Sequence, residues 1–319
     1  MCILVTGGAG FVGVNLVKRL LAEDERVVAF DNLSNSSYSN MADFIQHPKF
    51  KFKNVNLARL NEYRDAVNDL NMRVDSVWHL AANSDIQTGL EDSKIDLENT
   101  FMTTFNTLEI MRANCVKELF FASSSAIYGD HGEKVITENI GPLLPISNYG
   151  AMKLASEAII SSAVESYLDR AYIFRFPNVI GVPATHGVIL DFVRKLKKTK
   201  DLLVVLGDGS QNKSYMHLSD LLEAMIFIRD NQHEKLNIFN IGSEDCGVTV
   251  QAIAEAVVKR VAPEARISYG VGDKGWIGDV PRVNYSAKRL NKIGWKPKLS
   301  SSEAIDLSID QIVRQEMPF

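Results

Sequence analysis

A chain that opens Cys2-Ile3-Leu4-Val5-Thr6-Gly7-Gly8-Ala9-Gly10-Phe11-Val12-Gly13 has few folds open to it. Residues 3–5 read as a short buried strand, glycines follow at 7, 10 and 13, and Val14, Leu16, Val17, Leu20 and Leu21 then recur at helical spacing. Strand, glycine turn and helix form the context that a phosphate-binding turn requires. Gly7 permits the tight turn. Gly10 lets the backbone approach a pyrophosphate, and Gly13 lets the helix pack close to the strand. The helix start, at Phe11 and Val12, presents free N–H groups and a partial positive charge.

The second β-run, 26–30, ends at Asp31, 18 positions after Gly13. An acid at that distance is placed to accept from adenosine ribose hydroxyls and to repel a 2′-phosphate, which predicts NAD rather than NADP. Further β-runs lie at 50–55, 76–80, 119–122 and 172–176, with helical patterns at 61–70, 96–114 and 149–169 between them. This alternation predicts an α/β fold: a doubly wound parallel sheet of Rossmann type. Ligands of such sheets sit beyond the carboxyl ends of the strands, so the residues just after each run are informative. Asn56-Leu57 follows one run. Ala81-Ala82-Asn83 follows another, where small residues let the backbone pass beside a cofactor. His79 is expected as a core histidine satisfied by a backbone partner.

After Asn178 the pattern loosens. Two short strands, 202–206 and 213–217, flank the turn 207–209. Helical patterns at 220–229, 249–261 and 301–315 alternate with β-runs at 237–241 and 266–269. A smaller mixed α/β domain is expected here. The boundaries read as 1–178 plus about 219–245 for a dinucleotide-binding domain, and about 179–218 with 246–319 for a substrate domain. The net charge of −4 and the lack of a long basic run give no reason to expect a nucleic-acid or anionic-membrane surface. The basic stretch 194–198 is interrupted by Leu196 and reads as the wet face of a helix. Cys2, Cys115 and Cys246 share no metal-like spacing and no disulfide framework, which suits a reducing cytosol and predicts a cytoplasmic protein. Met1 leads directly into a core strand, so no signal peptide is expected, and no apolar run is long enough for a membrane span.

The chemistry-bearing residues follow the fifth β-run. Ser123-Ser124-Ser125-Ala126 ends it, and Tyr149-Gly150-Ala151-Met152-Lys153 comes later. Tyr149 and Lys153, at i and i+4, share one helix face. An ammonium beside a phenol stabilises the phenolate, so Lys153 is expected to lower the pKa of Tyr149 and fit it for acid–base work. Ser124 can hydrogen-bond the same substrate oxygen. These are the parts needed to oxidise an alcohol on NAD.

The glycine spacing with its leading Thr6-Gly7-Gly8, together with Asp31-Asn32-Leu33-Ser34, residues 123–129 and the Tyr149–Lys153 pair, resembles the extended short-chain dehydrogenase/reductase family. Within it the chain is most similar to the nucleotide-sugar epimerase branch that includes UDP-glucose/UDP-N-acetylglucosamine 4-epimerases. The resemblance implies that Ser124, Tyr149 and Lys153 are catalytic, that Ser125 is a candidate sugar contact, and that Asn32 and Asn99 join the NAD contacts. Asn56 stands where relatives usually carry Asp, and its oxygen can still accept from the adenine amine. In the second half, Asn178 would contact the diphosphate. Lys213 replaces the usual Arg, keeping the charge but losing the bidentate fork. Asp279 would bind the nucleotide ribose. The Arg expected shortly before it is Trp276, leaving Lys274 or Arg282 as its replacement.

Two positions discriminate within the family. Relatives that eliminate water carry Asp-Glu directly after the catalytic Ser/Thr, and decarboxylating relatives keep a Glu nearby; here Ser125 and Ala126 stand instead. What remains needs hydride out and hydride back, which is 4-epimerisation of a UDP-hexose through a 4-keto sugar. The alternatives are a UDP-glucuronate 4-epimerase and an NAD(P)H-dependent reductase of a nucleotide-linked keto sugar. Val283 replaces the bulky Tyr that restricts relatives to plain hexoses, which implies room for N-acetylhexosamines. Relatives dimerise through the helices at 96–114 and 149–169, so a homodimer is expected.

Overall fold

Strand β1 (Cys2–Thr6) is buried along its whole length. It pairs in parallel with β2 (Arg26–Asp31) on one edge and with the strand Ser76–His79 on the other. A strand buried on both faces needs a continuous apolar run rather than alternate apolar positions, and Cys2–Val5 supply it, with Thr6 at the end. The computed structural model describes residues 1–273 and 284–318. They divide into two compact units: Met1–Ile127, Leu143–Arg175 and Ile228–Phe239; and Tyr128–Pro142, Phe176–Phe227 and Asn240–Phe319.

The first unit is built on a seven-stranded parallel sheet. With β3 (Phe50–Asn54), β4 (Ser76–His79), β5 (Glu118–Ser124), β6 (Arg170–Phe176) and β7 (Leu236–Asn240), the spatial order is β7-β6-β5-β4-β1-β2-β3. The chain thus winds outward from β1 first in one direction and then in the other, so the expected doubly wound sheet is present. On β3, at the sheet edge, Lys51 and Lys53 alternate with Phe50 and Phe52, a pattern that discourages further strand pairing. Within the sheet Trp78 stacks on Phe120 at 4.1 Å between ring centres, and Phe120 on Tyr172 at 4.6 Å. These flat contacts couple β4, β5 and β6, and the last two of these strands flank the chemistry below.

Two elements differ from the sequence reading. The helix expected over 96–114 is three segments: α-helical Ser93–Asp96, π-helical Leu97–Met102 and α-helical Thr103–Ala113. The π turn lets one extra residue into a helix without breaking its apolar pattern, so periodicity does not reveal it. In the second unit, the single strand expected over 213–217 is two. Asn212–Lys213 pairs antiparallel with Val248–Thr249, and Tyr215–His217 pairs in parallel with Asn178–Ile180. The chain changes partner at Ser214, whose hydroxyl donates to the Ser243 carbonyl at 3.0 Å.

The second unit's core packs helices Val188–Lys198, Val250–Val261 and Ser301–Glu316 with the parallel pair Leu202–Val205 and Arg266–Tyr269. The basic stretch 194–198 lies on the first of these helices, with Leu196 buried and Arg194 exposed, as its spacing predicts. The last helix begins with a capping box: Ser300 accepts from the Glu303 N–H and Glu303 reaches back to the Ser300 N–H. Among the described residues, no helix is long and apolar enough to cross a membrane, and no cluster of three or more His, Cys, Asp or Glu could hold a metal.

Candidate active site

The glycine turn has the geometry its sequence requires. Gly7 sits at φ +67°, and a Cβ there would lie 2.8 Å from the Ala81 nitrogen. A Cβ on Gly13 would lie 2.1 Å from the Gly7 carbonyl oxygen, so the helix that starts at Phe11 presses directly on the turn. A Cβ on Gly10 would meet only the Gly7 oxygen, at 3.3 Å, so the space before Gly10 is open. The helix Phe11–Ala22 has no side-chain cap and no acid in its first turn, leaving its first N–H groups for an anion. This cradle, which a side chain at Gly10 would fill, fits a pyrophosphate.

Asp31 is buried at the end of β2, and its carboxylate is held from three sides. Oδ2 accepts from the Ala9 N–H at 3.1 Å, and Oδ1 from the Leu33 N–H at 2.8 Å and the Ser36 hydroxyl at 2.9 Å. The acid and the glycine turn are therefore one hydrogen-bonded object. The nearby polar candidates are used locally. Asn32 accepts from the Ser34 N–H at 3.1 Å, and the Asn56 oxygen accepts from the Ala58 N–H at 3.0 Å. Leu57 is buried, and its carbonyl accepts from Asn106 at 2.8 Å. The Ala81 N–H points at Thr6 Oγ1, 3.4 Å away, and Ala82 follows it. Asn99 lies in the π-helical segment, its carbonyl accepting from Thr103.

His79 is a core histidine, as expected, but side chains rather than backbone satisfy it. Thr6 Oγ1 lies 2.7 Å from Nδ1, Thr104 Oγ1 3.1 Å from Nε2, and Thr107 Oγ1 3.3 Å from Nδ1. Burial pushes its pKa down to about 3, helped by the charge of Lys153.

Ser124, Tyr149 and Lys153 come together at the end of β5. Ser147 caps the helix Asn148–Ser166 by accepting from the Gly150 N–H at 3.1 Å. A Cβ on Gly150 would lie 2.4 Å from the Ala126 carbonyl oxygen. Only glycine lets the helix start approach the turn Ser125–Ile127 so closely, and that approach places Tyr149 against Ser124. The Ser124 oxygen accepts from the Ala126 N–H at 3.2 Å, and its hydroxyl acts on Tyr149 to favour the phenolate. One helical turn on, the Lys153 ammonium donates to the Ala122 carbonyl at 2.6 Å. It stands 4.7 Å from the centre of the Phe121 ring and 5.8 Å from that of Tyr149.

The electrostatics correct one expectation. Burial pushes the Tyr149 pKa up to about 12, against the opposing pull of the Ser124 hydroxyl, and Lys153 is not among the groups that move it. Burial instead pushes Lys153 down to about 7, with Glu157 and Asp96 opposing. Burial disfavours the charged form of both groups, and in this state it decides both shifts.

Beneath the pair lies a buried ion pair that sequence reading missed. Arg175 and Glu157 are 4% and 6% exposed; Nη2 donates to Oε2 at 2.6 Å, and Nε donates to Oε1 at 3.0 Å. Ser123 donates to the same Glu157 Oε1. The spacing Lys153–Glu157, i and i+4 on one helix, was its one readable signal.

In the second unit, Asn178 is exposed at the start of its strand, with Nδ2 3.5 Å from the Ser214 carbonyl. Lys213 lines a cavity of about 380 Å³ together with Ser214, Asp245, Gly247 and Tyr285. Lys274, Trp276, Asp279, Arg282 and Val283 lie outside the described residues.

Residues 3–242 match the NAD dependent epimerase/dehydratase family. The chain belongs to that family. It is an NAD-dependent enzyme of the nucleotide-sugar epimerase branch. Among its relatives, a UDP-glucose 4-epimerase of Streptococcus mutans is 28% identical over 328 residues, covering 96% of this chain and 94% of that one. The UDP-glucose 4-epimerase of Thermus thermophilus, solved in complex with NAD, is 30% identical with a TM-score of 0.84 and covers 98% and 99% of the two chains. The enzyme of the same name from Thermotoga maritima, solved with UDP-glucose, is 25% identical with a TM-score of 0.86 over 99% and 100% of the two chains.

Proposed function

We propose that this enzyme is a UDP-hexose 4-epimerase, acting on UDP-glucose/galactose and on the corresponding N-acetylhexosamines. The observation that carries the reading is the gathering of Ser124, Tyr149 and Lys153 with Ser125 and Ala126, and no acid, directly after Ser124. A site so equipped can move one proton at one hydroxyl, and it has no carboxyl at the positions where relatives place one to eliminate water. Tyr149 Oη takes the proton from the sugar O4 hydroxyl and later returns it. Ser124 Oγ hydrogen-bonds the same oxygen and orients it. The buried Lys153 ammonium adds positive charge beside the phenolate as it forms.

The residues that would hold NAD are the turn Gly7–Gly10 with the N–H groups of Phe11 and Val12, Asp31 and Asn32 at the ribose, Asn56 and Leu57 at the base, together with Ala81, Ala82, Asn99, Tyr149 and Lys153. When bound, NAD would supply a hydride acceptor for the C4 hydrogen of the sugar and, in its reduced form, a hydride donor for the opposite face of C4. Asn178, Lys213, Asp279 and either Lys274 or Arg282 would bind the nucleotide diphosphate in the second unit, with Ser125 at the sugar. The 1–178 and 219–245 segments would then be the NAD domain and the remainder the nucleotide-sugar domain. Val283 in place of a bulky ring favours the acetamido sugars. Leu97 and Phe105, 44% and 40% exposed on adjoining helical segments, support a homodimer through that face; a monomeric mass by light scattering at micromolar concentration contradicts it.

The test is anion-exchange chromatography after separate incubation with UDP-glucose, UDP-N-acetylglucosamine and UDP-glucuronate, without added cofactor. The proposal predicts a new epimer peak from the first two at constant total sugar nucleotide. Conversion of the uronate alone would favour the uronate epimerase. No conversion even with NAD supplied would contradict epimerisation and favour the keto-sugar reductase.

A further inference from the structure

Asp96 is completely buried, and the chemistry above does not use it. It ends the α-helical segment Ser93–Asp96, where the π turn begins. Its Oδ1 accepts from Asn83 Nδ2 at 2.9 Å, while Oδ2 is buried with no hydrogen-bond partner. A carboxylate that gives up water without gaining a donor for each oxygen is costly, and folding keeps such a group only within a tightly determined setting. The setting is visible. Gly89, on the helix Ile86–Glu91, backs directly onto Oδ2, and a Cβ there would lie 1.9 Å from it. The Gly89 carbonyl is in turn held by Asn148 Nδ2 at 2.8 Å, on the residue immediately before Tyr149.

We propose that Asp96 is a positioning residue that sets the proton balance of the Tyr149–Lys153 pair. The proposal rests on the catalytic reading of that pair and adds a control to it. Among the described residues, three titratable groups feel the charge of Asp96 or act on it. From the helix Asn148–Ser166 they are Lys153 and Tyr149, both of which feel its charge. From the loop before Ile86 it is Asp85, whose charge favours the protonated form of Asp96, as burial does more strongly. Glu91, Asp92, Lys94 and Glu98, on the same segments, are exposed. An ionised Asp96 favours the charged lysine and the neutral tyrosine, so it raises the midpoints of both. Burial drives Lys153 toward the neutral amine; Asp96, with Glu157, holds it charged.

The test compares wild type with Asp96→Asn, which keeps the shape and removes the charge. The new amide would face a spot with no acceptor, so Asp96→Ala serves as the second variant. The readout is NMR of full-length protein labelled with ¹³C at lysine Cε, the Lys153 signal being assigned by its loss in Lys153→Met. The expected result is a fall in the Lys153 midpoint of at least about 0.5 pH unit in either variant. A matching shift of the acidic limb of kcat toward lower pH is expected with the UDP-sugar that the enzyme turns over. An unchanged Lys153 midpoint in a folded variant overturns the proposal. Turnover that survives in Tyr149→Phe would overturn the catalytic reading instead, and the NMR arm would still decide the role of Asp96.

Discussion

The ammonium of Lys153 stands 5.8 Å from the centre of the Tyr149 ring, one helical turn further on, with its proton directed at the Ala122 carbonyl. The pair is therefore fixed by β5 on one side and by its own helix on the other. Tyr149→Phe removes only the hydroxyl from this arrangement. It should lower kcat by about two to four orders of magnitude while leaving the fold and UDP-sugar binding unchanged. Parallel turnover assays and calorimetric titration with UDP check this.

The burial of Lys153 makes stability depend on pH in a stated direction. Its ordinary midpoint of 10.5 is pushed down to about 7 in the folded chain. Across that window the unfolded chain binds a proton that the folded chain does not, so the residue costs stability as pH falls from 10.5 toward 7. Lys153→Met should therefore stabilise the cofactor-free protein more at pH 7 than at pH 9.5, with a difference on the order of 2 kcal/mol. Urea unfolding at the two pH values measures it.

Asp31 is bonded to Ala9 in the glycine turn and to Leu33 and Ser36 in its own loop. Asp31→Ala removes the proposed ribose acceptor together with the brace of the turn. NAD affinity should fall by about tenfold or more, and the preference for NAD over NADP should shrink. Fluorescence titration with both dinucleotides provides the ratio.

Gly13→Ala would place a methyl 2.1 Å from the Gly7 carbonyl oxygen, backbone against backbone. The helix must move off the turn, at a cost of about 1–3 kcal/mol. A lower urea midpoint, together with weaker NAD binding, is the expected outcome.

Glu157→Gln leaves the buried Arg175 guanidinium without its counter-charge, and breaking such a pair from one side costs about 3–5 kcal/mol. Because Glu157 also helps to keep Lys153 charged, the Lys153 midpoint should fall in the same variant. Chemical denaturation and lysine NMR read the two effects separately.

Much of the site was legible because its chemistry is local in sequence. Glycines at 7, 10 and 13, an acid after the second strand, and Tyr149 with Lys153 at i and i+4 are constraints that short segments express by themselves. What the sequence concealed depends on contacts between segments. Gly150 is an unremarkable helix residue until Ala126 is seen to press on it. Asp96 reads as the polar start of a helix until the fold shows it completely buried against Gly89. The direction of the Tyr149 shift was misjudged because spacing shows which charge is near and does not show how much water is gone. The strand over 213–217 was read as one because nothing in its composition marks Ser214 as the point where the chain changes partner.

The proposed epimerisation requires that the same hydrogen leaves C4 of the sugar and returns to it. Incubation of the enzyme with UDP-[4-²H]glucose, followed by NMR of the product, tests this directly. The account predicts UDP-galactose that keeps its deuterium at C4, formed without accumulation of NADH. Loss of the label to solvent, or the absence of any galactose epimer, would contradict it.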